Sequence, residues 1–234
     1  MTENRERIEK IAKALEELSE QVVFVGGSVV EFYANDPLAS DIRPTLDVDC
    51  VIPIKSRGKY WELEEKLRQK RFQNDTSTGA PICRWIFDGI IVDIMPDNPE
   101  ILGFSNQWYK VGMEHRIKHQ VSEDISIYIL PVEYYLATKF EALQSRGGAD
   151  LRGNSDLEDI IYILNNKTDV VRSIKGSADS NLKTYLQKRF QQLFNNPNIT
   201  EIIESTLSST EQNRKSYIYD MIVVLSSQNE DFSR

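Results

Sequence analysis

Residues 46–53, with the sequence LDVDCVIP, constrain the fold more than any other stretch of the chain. Their length and apolar side chains predict a β-strand, although Asp is disfavoured in strands and a charge is rarely buried without a partner. Residues two apart on a strand project from the same face, so Asp47 and Asp49 are expected side by side. Two carboxylates this close repel each other unless a cation compensates them. The strand therefore predicts a cation site, the alternative being an edge strand whose acidic face is solvated.

A third acidic residue has a similar setting. Asp93 lies within the apolar run IIVDIMP, which also has the length of a strand. Oxygen ligands suit Mg²⁺, which typically binds one or two carboxylates together with substrate phosphates. Three such acids on adjacent strands predict a site for two Mg²⁺ ions, as in enzymes that catalyse in-line phosphoryl displacement.

A glycine turn precedes the paired acids. The apolar run VVFV ends in Gly26 and Gly27, and Ser28 is expected to begin a helix. Backbone N–H groups at the N-terminus of a helix can bind phosphate. A Gly-Gly-Ser turn is a weak signal alone, since most such turns are only turns. Its position before the acids predicts a phosphate-binding turn.

The chain divides into two patterns. Residues 1–130 alternate between helical stretches, such as 4–20 and 59–72, and apolar strands, and Asp88-Gly89 between two apolar runs predicts a hairpin. From residue 131 onward the pattern is helical throughout, with Ser155 as the expected N-cap of one helix. The sequence predicts an α+β protein: a mixed β-sheet domain flanked by helices over residues 1–130, then a helical lobe over residues 131–234.

Charge and composition exclude several classes of function. The net charge of −8 argues against extended binding to double-stranded DNA. No apolar run approaches the roughly 20 residues that cross a bilayer, so no membrane partner is expected. The charged N-terminal helix has no apolar signal-peptide core, and the two cysteines lie in strand-like, apolar settings. A cytoplasmic protein with buried thiols is expected.

The motifs together resemble a known superfamily. Gly26-Gly27-Ser28, the strand RPTLDVDCVI and the acid of IVDIMP are similar to the nucleotidyltransferases of the DNA polymerase beta type. The finer pattern resembles the abortive-infection branch, the AbiE-like nucleotidyltransferase toxins, in its Arg-x-Thr-x-Asp-x-Asp strand, a downstream helical Lys and an Asp-x-x-Asp helix. The resemblance covers roughly residues 22–164.

The resemblance implies a role for each matching residue. Asp47 and Asp49 would bind both Mg²⁺ ions, and Asp93 would bind the catalytic ion and help to deprotonate the incoming hydroxyl. Three further groups would bind the nucleotide: the turn Gly26, Gly27 and Ser28, the lobe residue Lys139 assisted by Arg146, and the helix residues Asp156 and Asp159. For the last pair the alternative is a first helical turn that complements the helix dipole.

The sequence therefore predicts a Mg²⁺-dependent enzyme that moves NMP from an NTP to an acceptor hydroxyl and releases pyrophosphate. The toxin-branch resemblance implies a macromolecular acceptor, tRNA or protein, a role as a toxin or in phage defence, and a cognate antitoxin as partner. The alternatives are a small-molecule (antibiotic) nucleotidyltransferase, and a non-catalytic nucleotide-sensing or antitoxin-like module on the same fold.

Overall fold

The computed structural model describes residues 2–40, 42–146 and 151–227. It has an α+β fold built on a mixed sheet of seven strands. The chain separates into two compact units. The first comprises Met1–Phe32 and Ile42–Pro131, and the second comprises Tyr33–Asp41 and Val132–Arg234.

The first unit contains the whole sheet. Its helices are α1 Glu3–Leu15, α2 Arg57–Gln69, α3 Pro99–Leu102 and α4 Tyr109–Glu114. It also has a 3-10 helix at Glu16–Glu20 and all but the last residue of a second one, Gly27–Tyr33. Its strands are β1 Val23–Val25, β2 Asp47–Ile52, β3 Gln73–Asn74, β4 Arg84–Phe87, β5 Ile90–Pro96, β6 Ile117–Gln120 and β7 Ser126–Ile129.

The sheet has the order β3-β4-β5-β2-β1-β7-β6, which makes β2 the middle strand. β2 runs parallel to β5 and antiparallel to β1. β7 is parallel to β1, while β4 and β6 are antiparallel to their neighbours. The alternative prediction, that Asp47 and Asp49 lie on a solvated edge strand, is therefore wrong, because β2 is not an edge strand.

Amphipathic helices cover apolar side chains of this unit. Ile8, Ile11 and Leu15 of α1 are fully buried, as is Leu67 of α2. Ser56 caps α2 by accepting a hydrogen bond from the backbone N–H of Lys59. The first predicted helix is too long, because α1 ends at Leu15 and a 3-10 helix follows.

A buried Asn fixes the chain just before β2. The side chain of Asn4, 1% exposed, accepts from the backbone N–H of Thr45 at 2.8 Å and donates to the backbone oxygen of Arg43 at 3.1 Å. Arg7 also donates to the backbone oxygen of Thr45. Helix α1 thereby determines where β2 begins.

The predicted hairpin is confirmed. β4 and β5 are antiparallel, and Phe87 pairs with Ile90 across a two-residue turn. Asp88 and Gly89 both have positive φ, 46° and 77°, as a type I′ turn requires. Counting outward from this turn places Arg84 opposite Asp93.

The second unit is helical. It contains α5 Val132–Arg146, α6 Ser155–Asn166, α7 Val170–Gly176, α8 Ser180–Phe194, α9 Ile199–Thr206, a 3-10 helix at Gln212–Arg214 and α10 Lys215–Ser226. Phe140 of α5 meets Phe190 of α8 edge to face, with ring centroids 4.9 Å apart. The N-cap of α6 is Asn154, not Ser155 as predicted.

A segment from early in the chain belongs to this second unit. The backbone N–H groups of Asn35 and Asp36 both donate to the backbone oxygen of Asn166 at 3.0 Å. Arg214 pairs with Asp36 at 3.2 Å. The sequence pattern indicates only a polar loop here.

Among the described residues, none of the helices combines the length and apolar character needed to cross a membrane.

The hairpin turn gives a direct test of the sheet register. Gly89→Ala places a β-carbon on a residue at φ +77°, so we expect a loss of about 1 kcal/mol in the free energy of unfolding. Gly58, in α2, has ordinary φ, and Gly58→Ala should be neutral or slightly stabilising. Urea denaturation of both variants measures the difference between their free energies of unfolding. Equal stabilities would contradict the left-handed conformation of Gly89 in the hairpin turn.

Candidate functional site

The three acidic residues predicted to bind metal lie together at the centre of the sheet. Asp49 of β2 is directly opposite Asp93 of β5 in the parallel pair, and Asp47 is two residues before Asp49. One oxygen of each carboxylate can be chosen so that all three lie within 4.8 Å of one another. Asp47, Asp49 and Asp93 are called the carboxylate triad below.

The apolar residues of β2 explain why the acids share a face. Val48 and Cys50 are fully buried and Ile52 is 2% exposed, and these alternate with the two acids along the strand. Because successive side chains point to opposite faces, burial of one set places Asp47 and Asp49 on the other face. Val51, on the same face as the acids, is also fully buried, so the triad forms on a face that becomes apolar farther along the strand.

The glycine turn lies against the triad. β1 is antiparallel to β2, with Val25 opposite Asp49, so Gly26 follows immediately beside the acids. Gly26 has φ +72°, and a β-carbon there would lie 1.9 Å from Oδ2 of Asp49. Only glycine allows both this backbone conformation and this approach to the carboxylate.

The helix expected to begin at Ser28 is instead a 3-10 helix, Gly27–Tyr33. The side chain of Ser28 is 1% exposed, and within the described part of the chain its Oγ has no hydrogen-bond partner. A buried hydroxyl without a partner is costly unless a ligand or water satisfies it. The phosphate-binding role of Gly26, Gly27 and Ser28 stays a prediction.

Asp93 has a cationic partner that the sequence analysis missed. Arg84 of β4 donates from Nε to Oδ1 and from Nη2 to Oδ2 of Asp93, both at 2.8 Å. The side chain of Asp93 is 11% exposed and that of Arg84 is 26% exposed. These two hydrogen bonds, ahead of every other influence, raise the pKa of Arg84 above its usual value. The hairpin register was the signal that could have identified this pair.

The charges of the triad affect the pKa of two buried thiols. Burial, followed by the charges of Asp49 and Asp93, raises the pKa of Cys50 well above its usual value. Burial and then Asp93 raise the pKa of Cys83 to about 12. Both cysteines are free and buried, as the sequence predicts. They are protonated near neutral pH and provide no nucleophile.

The predicted nucleotide-binding residues of the second unit form a charged cluster of their own. Lys139 contacts Asp159 at 2.5 Å and Asp156 at 3.3 Å, and all three residues are at most 7% exposed. Arg146 contacts Asp156 at 2.9 Å from a side chain that is 69% exposed. The two acids do lie in the first turns of α6, but their burial against Lys139 goes beyond a solvated first turn. Their nucleotide-binding roles stay predictions.

The donor set of the triad fits Mg²⁺. It consists of carboxylate oxygens, the hard ligands that Mg²⁺ prefers, and it lacks the thiolate or imidazole of a typical zinc site. The Gly26 backbone packs on Asp49, and Ser28, two residues later, has a buried hydroxyl without a partner among the described residues.

Comparison of the whole chain with known proteins assigns it to no family. Neither the scan against models of known protein families nor the search among curated proteins gives a match. The resemblance to nucleotidyltransferases therefore depends on the motif residues and on their arrangement.

Gly26 provides a test of the close approach. Gly26→Ala must both hold a positive φ and displace Asp49, so its free energy of unfolding should fall by at least twice the loss at a matched position. That position is Gly79, at φ +86° with open space around an added β-carbon, where Gly79→Ala should cost about 1 kcal/mol. Urea denaturation gives both values. Similar losses would mean that the backbone does not pack against Asp49.

The cluster of the second unit gives a test of buried against exposed charge. Lys139→Met leaves two buried carboxylates with less compensation and should cost about 3–5 kcal/mol of unfolding free energy. Arg146→Met removes an exposed cation from the same helix and should cost at most about 1 kcal/mol. Chemical denaturation followed by circular dichroism distinguishes them. Equal losses would contradict the burial of Lys139.

Proposed function

We propose that the protein is a Mg²⁺-dependent nucleotidyltransferase that moves NMP from an NTP to an acceptor hydroxyl and releases pyrophosphate. The observation behind the proposal is the convergence of Asp47, Asp49 and Asp93 beside the glycine turn that precedes them in the sequence. The order of these motifs along the chain is that of the DNA polymerase beta-type superfamily.

The sheet geometry supports this reaction. Asp47, Asp49 and Asp93 would hold divalent cations, which when bound would neutralise phosphate charge and lower the pKa of the attacking hydroxyl. Nucleotidyl transfer requires little covalent chemistry from the protein, because positioning and charge compensation provide most of the rate acceleration. A rigid central strand pair fixes the carboxylates for that purpose.

In the proposed transfer, the NTP, the acceptor and Asp93 account for every bond and proton that changes. The acceptor oxygen forms a bond to the α-phosphorus of the NTP, and the bond from that phosphorus to the bridging oxygen of the β-phosphate breaks. Pyrophosphate leaves with the electron pair of that bond, and Asp93 accepts the proton of the acceptor hydroxyl. Asp93 can do so because its hydrogen bonds to Arg84 occupy one lone pair of each oxygen and leave the other.

The glycine turn would bind the leaving phosphates. We assign the β- and γ-phosphates to the backbone N–H of Gly27 and the hydroxyl of Ser28. Ser28 Oγ has no partner within the described chain, so a phosphate oxygen would satisfy it. Gly26 would let the turn approach the triad without a side chain in between.

The class of acceptor is proposed from the resemblance, together with the charge of the chain. The toxin branch favours a macromolecule, tRNA or protein, and a cognate antitoxin as partner. The net charge of −8 suits a local contact with one end of an RNA better than wrapping of a duplex.

The test is a labelling reaction. Purified protein, Mg²⁺ and each α-³²P-labelled NTP are incubated with cell extract, and label in macromolecules is measured. We expect labelling by wild type and a loss of at least about a hundredfold with Asp49→Asn, which removes one metal-binding charge while keeping the side-chain size.

The control is Asp88→Asn, which removes a charge from the same unit but keeps a residue suited to the hairpin turn. This variant should label as wild type does. Equal labelling by Asp49→Asn would refute the catalytic proposal. Loss of label after treatment with RNase identifies an RNA acceptor, and persistence points to protein.

A further inference from the structure

Arg84 and Asp93 are joined by a bidentate ion pair between two adjacent strands of the sheet. Two parallel hydrogen bonds of 2.8 Å engage both oxygens of Asp93, the fork-to-fork geometry that Arg forms with carboxylates. The pairing is built into the sheet, because Arg84 and Asp93 are register partners on β4 and β5. No motif of the resemblance includes Arg84.

We propose that Arg84 is the internal counter-cation of the triad: it positions Asp93 and weakens the binding of divalent cations. The inference rests on the proposed function only in taking the triad as a metal centre. Arg84 is a positioning residue in this account, since it acts through Asp93.

The first reason is geometric. A carboxylate has about four lone-pair positions, and the fork occupies one on each oxygen. A cation must therefore bind Asp93 from the side away from Arg84, toward Asp49 on the adjacent strand. The fork thus sets the orientation in which Asp93 faces the other two acids.

The second reason is electrostatic. The guanidinium keeps its charge at every pH at which the protein is folded, so it offsets part of the triad's negative charge at all times. Asp93 is 11% exposed, so solvent screens this interaction less than at an open surface. A positive charge in contact with one ligand repels a divalent cation held by that same ligand. Removing the charge should tighten metal binding by on the order of tenfold.

An ion pair with a purely structural role makes a different prediction. It would stabilise the hairpin but leave the affinity of the triad for metal unchanged, or lower it if Asp93 became disordered. The sign of the change in affinity therefore separates the two roles.

The experiment is a calorimetric titration with Mn²⁺ alone, without nucleotide. Arg84→Met removes the charge and keeps an unbranched side chain, and we expect a dissociation constant about tenfold lower than that of wild type. Arg84→Lys keeps the charge without the fork and should stay within about threefold of wild type. Arg57→Met changes the net charge equally from an exposed position at the start of α2 and should bind as wild type does.

A second measurement applies if Arg84→Met is poorly folded without metal. Arg84→Gln, also uncharged, should show a larger rise in unfolding temperature on adding Mn²⁺ than wild type does, because the tighter-binding protein gains more stability. Mn²⁺ should also restore the circular dichroism of Arg84→Met if that variant unfolds. A failure of both would overturn the proposal.

The other outcomes are decisive as well. Affinity unchanged or lower in Arg84→Met and Arg84→Gln, with wild-type binding abolished by Asp49→Asn, would refute the role of Arg84 and leave the metal centre intact. Absence of Mn²⁺ binding in wild type and in every Arg84 variant would refute the metal centre, and with it the proposed function.

Discussion

Three carboxylates held together in the middle of a sheet are the constraint on which the rest of this structure depends. Asp49 and Asp93 are paired residues of two adjacent strands, and Asp47 adds a third negative charge on the same face. The strands cannot separate these charges, because the opposite face of β2 contributes the buried residues Val48 and Cys50. At Asp93 the repulsion is offset by the guanidinium of Arg84, which lies on the adjacent strand β4. The proposed binding of cations and the stability of the sheet would thus depend on the same group of charges.

The surroundings of the triad are fixed by short contacts from two directions. Gly26 brings backbone against Asp49 at a distance that no side chain would allow. Asn4 holds Thr45 and the backbone of Arg43 just ahead of β2, so helix α1 sets the start of the acidic strand. The first contact acts on the carboxylate of Asp49, and the second acts on the backbone that leads into β2. The proposed nucleotidyl transfer would depend on such preorganisation, because positioning and charge compensation would provide most of its rate.

The sequence predicted the centre of the fold better than its periphery. The alternation of acids with buried residues on β2, the run around Asp93 and the Asp88-Gly89 turn each have a local cause, so strand and turn could be inferred. The short strands β3 and β6 could not, because their residues are mostly exposed and are ordered by neighbours distant in sequence. The glycine turn leads into a 3-10 helix, which the spacing of Val29, Val30 and Tyr33 does not distinguish from an α-helix. Arg84 could have been found by counting from the turn, whereas the pairing of Lys139 with Asp156 and Asp159 depends on helix packing that the pattern alone does not specify.

The most direct measurement is a crystal structure of the protein with Mn²⁺ and a non-hydrolysable NTP analogue, recorded with anomalous scattering. The account predicts anomalous peaks that mark manganese ions bound to oxygens of Asp47, Asp49 and Asp93. It also predicts that the triphosphate lies against Gly27 and Ser28. Absence of manganese from the three carboxylates at saturating concentration, or a triphosphate bound away from the glycine turn, would contradict it.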